Sequence, residues 1–165
     1  MRPRHLRSAW AIALLALLPV AAAFAAALLP PHEAFALSAR ALDPQTLEAR
    51  FKVADGYYLY RDKLKFNLDG AAPVTISAEL PAGKVKHDEF FGDVETYRGL
   101  VVIRLPLATA QASHKLTLMT ESQGCADVGV CYPPQRQVLT LDIPAAAAGP
   151  SEVVVAPIGR PAWLK

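Results

Sequence analysis

Run after run of this chain carries its apolar side chains at every second position, and no stretch sustains the three-to-four spacing of an amphipathic helix. A chain patterned this way buries one face of each segment and so folds into sheets. Leu47, Ala49, Phe51 and Val53 alternate with Glu48, Arg50 and Lys52, and the run stops at Asp55-Gly56, a turn signal. Tyr57 to Phe66 is rich in aromatics, Asp69-Gly70 follows, and a Val74 to Ser77 stretch ends near Pro81 and Gly83, so two further strands are expected there. Leu100 to Leu107 is dense in β-branched residues, Lys115 to Thr120 alternates again, and Gln137 to Ile143 sets Val138 and Thr140 against Leu139 and Leu141. Short strands punctuated by Gly, Pro and Asp predict an all-β fold, a sandwich.

The N-terminus sets the compartment. Arg2, Arg4 and Arg7 form a basic region, Ala9 to Ala27 is almost entirely Ala, Leu and Val, and Ala23-Phe24-Ala25 offers a small-x-small cleavage site. Residues 1–25 therefore read as a secretory signal peptide, and the chain as exported to the periplasm. An uncleaved anchor tethered to the inner membrane is the alternative, because the apolar run approaches the roughly 20 residues that span a bilayer. Losing the three leader arginines, which no acid accompanies, takes the formal charge from +2 to −1. A near-neutral domain without a Lys/Arg cluster lacks the electrostatic footprint of a nucleic-acid binder. Residues 26–143 form one domain-sized unit, and the Ala/Pro-rich residues 144–165 read as a linker or tail.

Cys125 and Cys131 are the only two cysteines, and both lie in the turn-rich segment Gly124 to Pro134. In an exported chain a pair this close can bond, yet the bond closes a loop of only about seven residues, worth roughly 2 kcal/mol on the chain-entropy estimate. It makes a poor staple, because a structural disulfide in a sandwich is expected to tie distant strands. Thiol chemistry is the sharper reading. An inert hairpin disulfide in a non-catalytic binding module is the alternative. A cysteine hydrolase using His87 or His114 lacks a local signature, and a zinc site from the same histidines and cysteines lacks the short Cys-x2-4-Cys spacing.

Four segments, in order, resemble the N-terminal domain family of the thiol:disulfide interchange protein DsbD. They are Ala34-Phe-Ala-Leu37, Asp55-Gly-Tyr-Tyr-Leu-Tyr-Arg61, His87-Asp-Glu-Phe-Phe-Gly92 with Glu95-Thr-Tyr-Arg98, and Gln123-Gly-Cys-Ala-Asp-Val-Gly-Val-Cys-Tyr-Pro-Pro134. The resemblance covers about residues 30–143 and implies an immunoglobulin-like β-sandwich. It also implies a relay, in which a thioredoxin-like donor domain reduces this domain and this domain reduces oxidised periplasmic thiol proteins of the disulfide isomerase or cytochrome c maturation type. By motif, Cys131 is the sulfur that bonds to partners and Cys125 is the resolving thiol. Asp88, Glu89, Phe90, Phe91 and Gly92 match a cap loop, with Phe90 as the capping ring and Gly92 as its hinge; an ordinary core position for Phe90 is the alternative, disfavoured by the adjoining Asp88 and Glu89. Asp88 and Glu89 are expected to oppose a negative charge on Cys131 if they approach it; a solvated acidic loop is the plainer alternative. Tyr58, Tyr60 and Tyr132 are expected to border the site. The scheme needs no metal or organic cofactor; no nucleic-acid partner is expected, and the chain is expected to be a monomer. The chain departs from the family in ending at Lys165 with no Cys-x-x-Cys motif, so the donor is expected either in a longer protein or in a separate chain.

Overall fold

The computed structural model of the chain describes residues 27–69, 74–89, 91–108, 115–145 and 148–157. The leader, Phe90 and His114 lie outside these residues. After one helical turn, α1 (Pro31–Ala34), come β1 (Phe35–Asp43), β2 (Thr46–Val53) and β3 (Tyr57–Tyr60). A short 3-10 turn at Arg61–Lys63 leads to β4 (Lys65–Leu68), β5 (Val74–Thr75), β6 (Lys84–Asp88), β7 (Gly92–Tyr97) and β8 (Leu100–Pro106). The remaining strands are β9 (Lys115–Ser122), β10 (Gly124–Ala126), β11 (Val130–Cys131), β12 (Gln135–Asp142) and β13 (Val154–Val155).

Among the described residues every pairing is antiparallel, in the orders β13-β1-β2-β8, β12-β9-β4-β5 and β11-β10-β3-β7-β6. The first two groups pack as a sandwich, and one apolar core joins Leu37, Phe51 and Ile103 of one to Phe66, Leu118 and Leu139 of the other. Each of these fully buried side chains contributes about 1.5–3 kcal/mol of burial free energy. The alternation in β2 behaves as expected, with Leu47, Ala49, Phe51 and Val53 buried. Its one exception is Glu48, nearly buried and held by Arg40 at 2.9 Å and Arg50 at 2.8 Å.

Two departures from the sequence reading shape the surroundings of the cysteines and the far edge of the sandwich. Tyr57 to Phe66 is not one run: the 3-10 turn divides it, sending β3 and β4 into different sheets. All four residues of β3 are buried because the strand is covered on both faces, Tyr57 and Leu59 by the main core and Tyr58 and Tyr60 by a second cluster containing Cys125. Inside residues 144–165, the segment around β13 lies along β1: Ser151 N–H donates to Ala41 O (2.8 Å) and Ala156 N–H to Leu37 O (2.9 Å). Among the described residues no helix is long and apolar enough to cross a membrane.

Candidate active site

The cysteines sit on a three-residue hairpin. Gly129 N–H donates to Ala126 O (3.0 Å), and Gly129 takes the left-handed conformation, φ +86°, that a type I turn followed by a bulge requires. Cys125 and Cys131 are directly opposed in the β10–β11 register, and Tyr132 N–H donates to Gly124 O (3.0 Å). That bond makes the cysteines a non-hydrogen-bonded pair, the kind in which opposite side chains come closest. They are joined by a disulfide, with a Cα–Cα distance of 3.9 Å. Cys125 is fully buried, whereas Cys131, on a strand that ends the sheet, is partly exposed.

Beside β10 in the same sheet runs β3, with Cys125 opposite Tyr58 and the ladder extended by Asp127 N–H to Gly56 O (2.8 Å) and Tyr60 N–H to Gln123 O (3.0 Å). Residues two apart share a face of a strand, so Tyr58 and Tyr60 both project toward the sulfurs. Their hydroxyls donate to one carboxylate oxygen, Oδ2 of Asp88, at 3.0 and 2.7 Å. The same rule puts Lys86 beside Asp88 on β6; its Nζ lies 3.9 Å from Oδ2 and 4.6 Å above the Tyr58 ring. Asp88 itself is buried, and its other oxygen accepts from Phe91 N–H (3.3 Å). Burial therefore rules out the solvated-loop alternative for Asp88, because two phenols and a main-chain N–H replace water around it. Glu89 fits that alternative, being exposed.

Tyr60 connects carboxylate and disulfide. Its oxygen is 3.1 Å from Cys125 Sγ and 3.8 Å from Cys131 Sγ; the single phenol proton goes to Asp88 and disulfide sulfurs carry none, so oxygen and sulfur lie in contact while the bond is closed. Burial first, and the bond to Asp88 second, push its titration far above the ordinary tyrosine value, so it keeps its proton at any physiological pH. Phe91, about half exposed, stacks edge-on against Tyr60 at 5.2 Å, with Lys63 Nζ 4.7 Å from its ring centre. Gly92, at φ +71°, closes the β6–β7 turn.

Tyr132 follows Cys131 but belongs to a different cluster. Its ring packs edge-on against Phe35 (5.6 Å), its hydroxyl donates to Leu29 O (2.6 Å), and burial, then neighbouring Tyr57, pushes it up to about 12. The structure thus sets Tyr60 against the sulfurs, with Tyr58 and Asp88 beside it and Phe91 stacked on its ring, while Tyr132 packs against the main core. His87 is exposed and paired with Asp93 at 2.8 Å. Sequence reasoning misses Lys86, although its two-residue spacing from Asp88 is a readable signal, and it misses the pairing of Arg98 with Asp127 (2.5 Å), which joins segments 29 residues apart.

Comparison with known proteins agrees with this geometry. The family model "Thiol:disulfide interchange protein DsbD, N-terminal" matches residues 25–143. DsbD of Ralstonia nicotianae is 46% identical over 123 residues, which cover 74% of this chain and 20% of that protein. DsbD 1 of Pseudomonas aeruginosa is 41% identical over 120 residues, covering 73% and 20%. The chain therefore spans about a fifth of the length of these curated relatives. The reduced N-terminal domain of Neisseria meningitidis DsbD superposes with TM-score 0.62 at 30% identity, covering 78% of this chain and 95% of that one. The same organism's DsbD N-terminal domain in complex with the PilB N-terminal domain gives 0.58 at 33%, covering 68% and 86%. An immunoglobulin-like sandwich with one opposed cysteine pair at its edge, matched by sequence over residues 25–143, places this chain in the DsbD N-terminal domain family.

Proposed function

We propose that this domain carries out thiol–disulfide exchange in the periplasm, taking electrons from a thioredoxin-like donor domain and passing them to oxidised thiol proteins. The observation that carries the reading is the asymmetry of the disulfide: one sulfur is sealed against Tyr60, and the other stands at an open strand edge. A donor thiolate attacks Cys131 Sγ, the Cys125–Cys131 bond breaks, and Cys125 leaves as a thiolate. Tyr60, still protonated and 3.1 Å away, turns its hydrogen bond to that departing sulfur while Tyr58 continues to hold Asp88. A second donor thiol resolves the mixed disulfide, and the domain is left as a dithiol. In the forward direction Cys131 attacks a partner's disulfide and Cys125 displaces the partner, oxidising the domain by two electrons. That the related Neisseria domain forms a complex with the PilB N-terminal domain supports a protein as the reaction partner. Residues 1–25 are the export signal in this scheme, 26–143 the redox domain, and 144–165 a connector.

The buried Asp88 carboxylate opposes a second negative charge on the sulfurs and so keeps the reduced thiols protonated and quiet. Asp88→Asn should lower the pH at which Cys131 reacts with an alkylating probe and quicken alkylation at pH 7 several-fold, whereas Glu89→Gln, at an exposed position, should change little. Equal, unshifted profiles in both variants would remove the electrostatic role.

The turn from Glu89 to Gly92 is proposed as a cap, with the Phe90 ring and Phe91 shielding the dithiol and Gly92 giving the hinge freedom to lift it. Phe91→Ala and Phe90→Ala should each speed oxidation of the reduced protein by peroxide about three- to tenfold, as access governs exchange and oxidation. Peroxide kinetics identical to wild type in both would show that neither ring protects the site.

A further inference from the structure

Opening the Cys125–Cys131 bond removes the one covalent tie across a hairpin whose outer strand has two residues and, among the described residues, no strand beyond it. A side chain from outside the hairpin braces its tip. Arg98, at the β7–β8 turn, donates through Nη1 to Asp127 Oδ2 (2.8 Å) and through Nη2 to Asp127 Oδ1 (2.5 Å), a two-pronged fork on the hairpin tip. The same Nη1 donates to Tyr57 O on β3 (3.1 Å), and the guanidinium lies 5.2 Å from the centre of the Tyr58 ring. A single planar group thus ties the inter-cysteine loop to β3, the strand paired with β10, and to the aromatic wall. The fork holds the Asp127 carboxyl below the usual carboxylate range, so it stays charged and paired at neutral pH.

Resting on the exchange reading, we propose that Arg98 and Asp127 are a positioning pair that keeps the two thiols in register while the disulfide is open, so that Cys125 promptly resolves adducts formed at Cys131. In that step the Cys125 thiolate attacks Cys131 Sγ of the mixed disulfide, the Cys125–Cys131 bond forms, the bond to the partner breaks, and the partner sulfur leaves as a thiolate. Ordering a loop residue costs conformational entropy, and a loop already pinned at Asp127 does not meet that cost on closing. Pinning raises the effective concentration of one thiol at the other and makes the disulfide harder to reduce. Releasing the pin does the opposite.

The test equilibrates the protein with glutathione, two glutathiones being oxidised to one glutathione disulfide for each protein disulfide reduced, and separately follows decay of the Cys131–glutathione adduct. Arg98→Gln and Asp127→Asn should each lower the effective concentration about tenfold, a shift of about 30 mV toward the oxidising side for a two-electron couple. Both should slow adduct resolution by a similar factor while leaving the first attack by Cys131 unchanged, a split that general loosening of the fold does not produce. Arg98→Lys, which keeps the charge without the fork, should behave like Arg98→Gln, and the exchanged pair Arg98→Asp with Asp127→Arg should recover part of the loss. Both side chains are nearly half exposed, so these variants are expected to fold. Wild-type values in Asp127→Asn, or in Arg98→Lys, would overturn the proposal, since the effect would then come from the arginine's charge alone or be absent. A wild-type protein that never yields thiols would instead refute exchange itself.

Discussion

Gly124→Ala is expected to destabilise the domain by about 3 kcal/mol and to dislodge the cysteine hairpin from β3, the upper range for overpacking a close-packed site. A Cβ at this position would lie 2.2 Å from the main-chain oxygen of Tyr58 and 2.7 Å from the Phe35 ring. The nearest obstacle is backbone in the register that sets Gly124 opposite Leu59, so no side-chain rotation relieves it. Phe35 cannot yield freely either, packed edge-on against both Tyr57 and Tyr132. The urea midpoint should fall accordingly, and the reduced protein should lose reactivity as Cys125 shifts away from Tyr60. Gly129→Ala offers the contrast: its Cβ meets nothing within 4 Å, and its cost is the left-handed backbone alone, about 1–2 kcal/mol. Equal midpoints for Gly124→Ala and wild type would show that the approach of β10 to β3 is looser than described.

The second large effect separates the two sulfurs. Either cysteine replaced by alanine should abolish two-electron exchange, a loss on the order of a thousandfold or more, because each turnover forms and resolves a covalent intermediate. Their adducts should differ. Cys125→Ala leaves the accessible sulfur without its resolving partner and should accumulate mixed disulfides with periplasmic proteins. Cys131→Ala leaves a sulfur buried against Tyr60 and should trap little. Electrophoresis without reductant checks this, and equal trapping by both variants would reverse the roles given to the cysteines.

How far the sequence discloses this site depends on how local each feature is. The β2, β8, β9 and β12 strands are legible because each buries one face, and Val101, Ile103 and Leu105 alternate with exposed Leu100 and Val102 as a half-buried strand must. β1 escapes notice because Ala36, Ala39 and Ala41 blur the contrast between its faces, although Phe35, Leu37, Ala39 and Ala41 are all buried. β3 is legible as an aromatic-rich strand but its end and its burial are not, because it is covered on both sides and Tyr57 to Tyr60 show no alternation at all. The hairpin of Cys125 and Cys131 is announced by its glycines and spacing. The meeting of Asp88 with Tyr58 and Tyr60 is not, because those residues are about 30 positions apart and only the β3–β7–β6 order brings them together. Resemblance to a family points at these residues, but the single carboxylate oxygen shared by two phenols is a product of tertiary structure. Tyr132 shows the converse, a residue adjacent to Cys131 in sequence whose hydroxyl is turned away to Leu29.

Exchange requires that the Cys125–Cys131 bond open and close reversibly. The direct measurement is its reduction potential, obtained by equilibrating the isolated protein across a series of glutathione buffers and counting free thiols by mass after alkylation. A bond that exchanges with partners is expected to open reversibly at a potential well above about −300 mV and to give two alkylated cysteines per chain. A bond that stays closed until far more reducing conditions, with neither sulfur ever labelled in the glutathione range, would contradict the account and leave a sandwich with a passive hairpin disulfide.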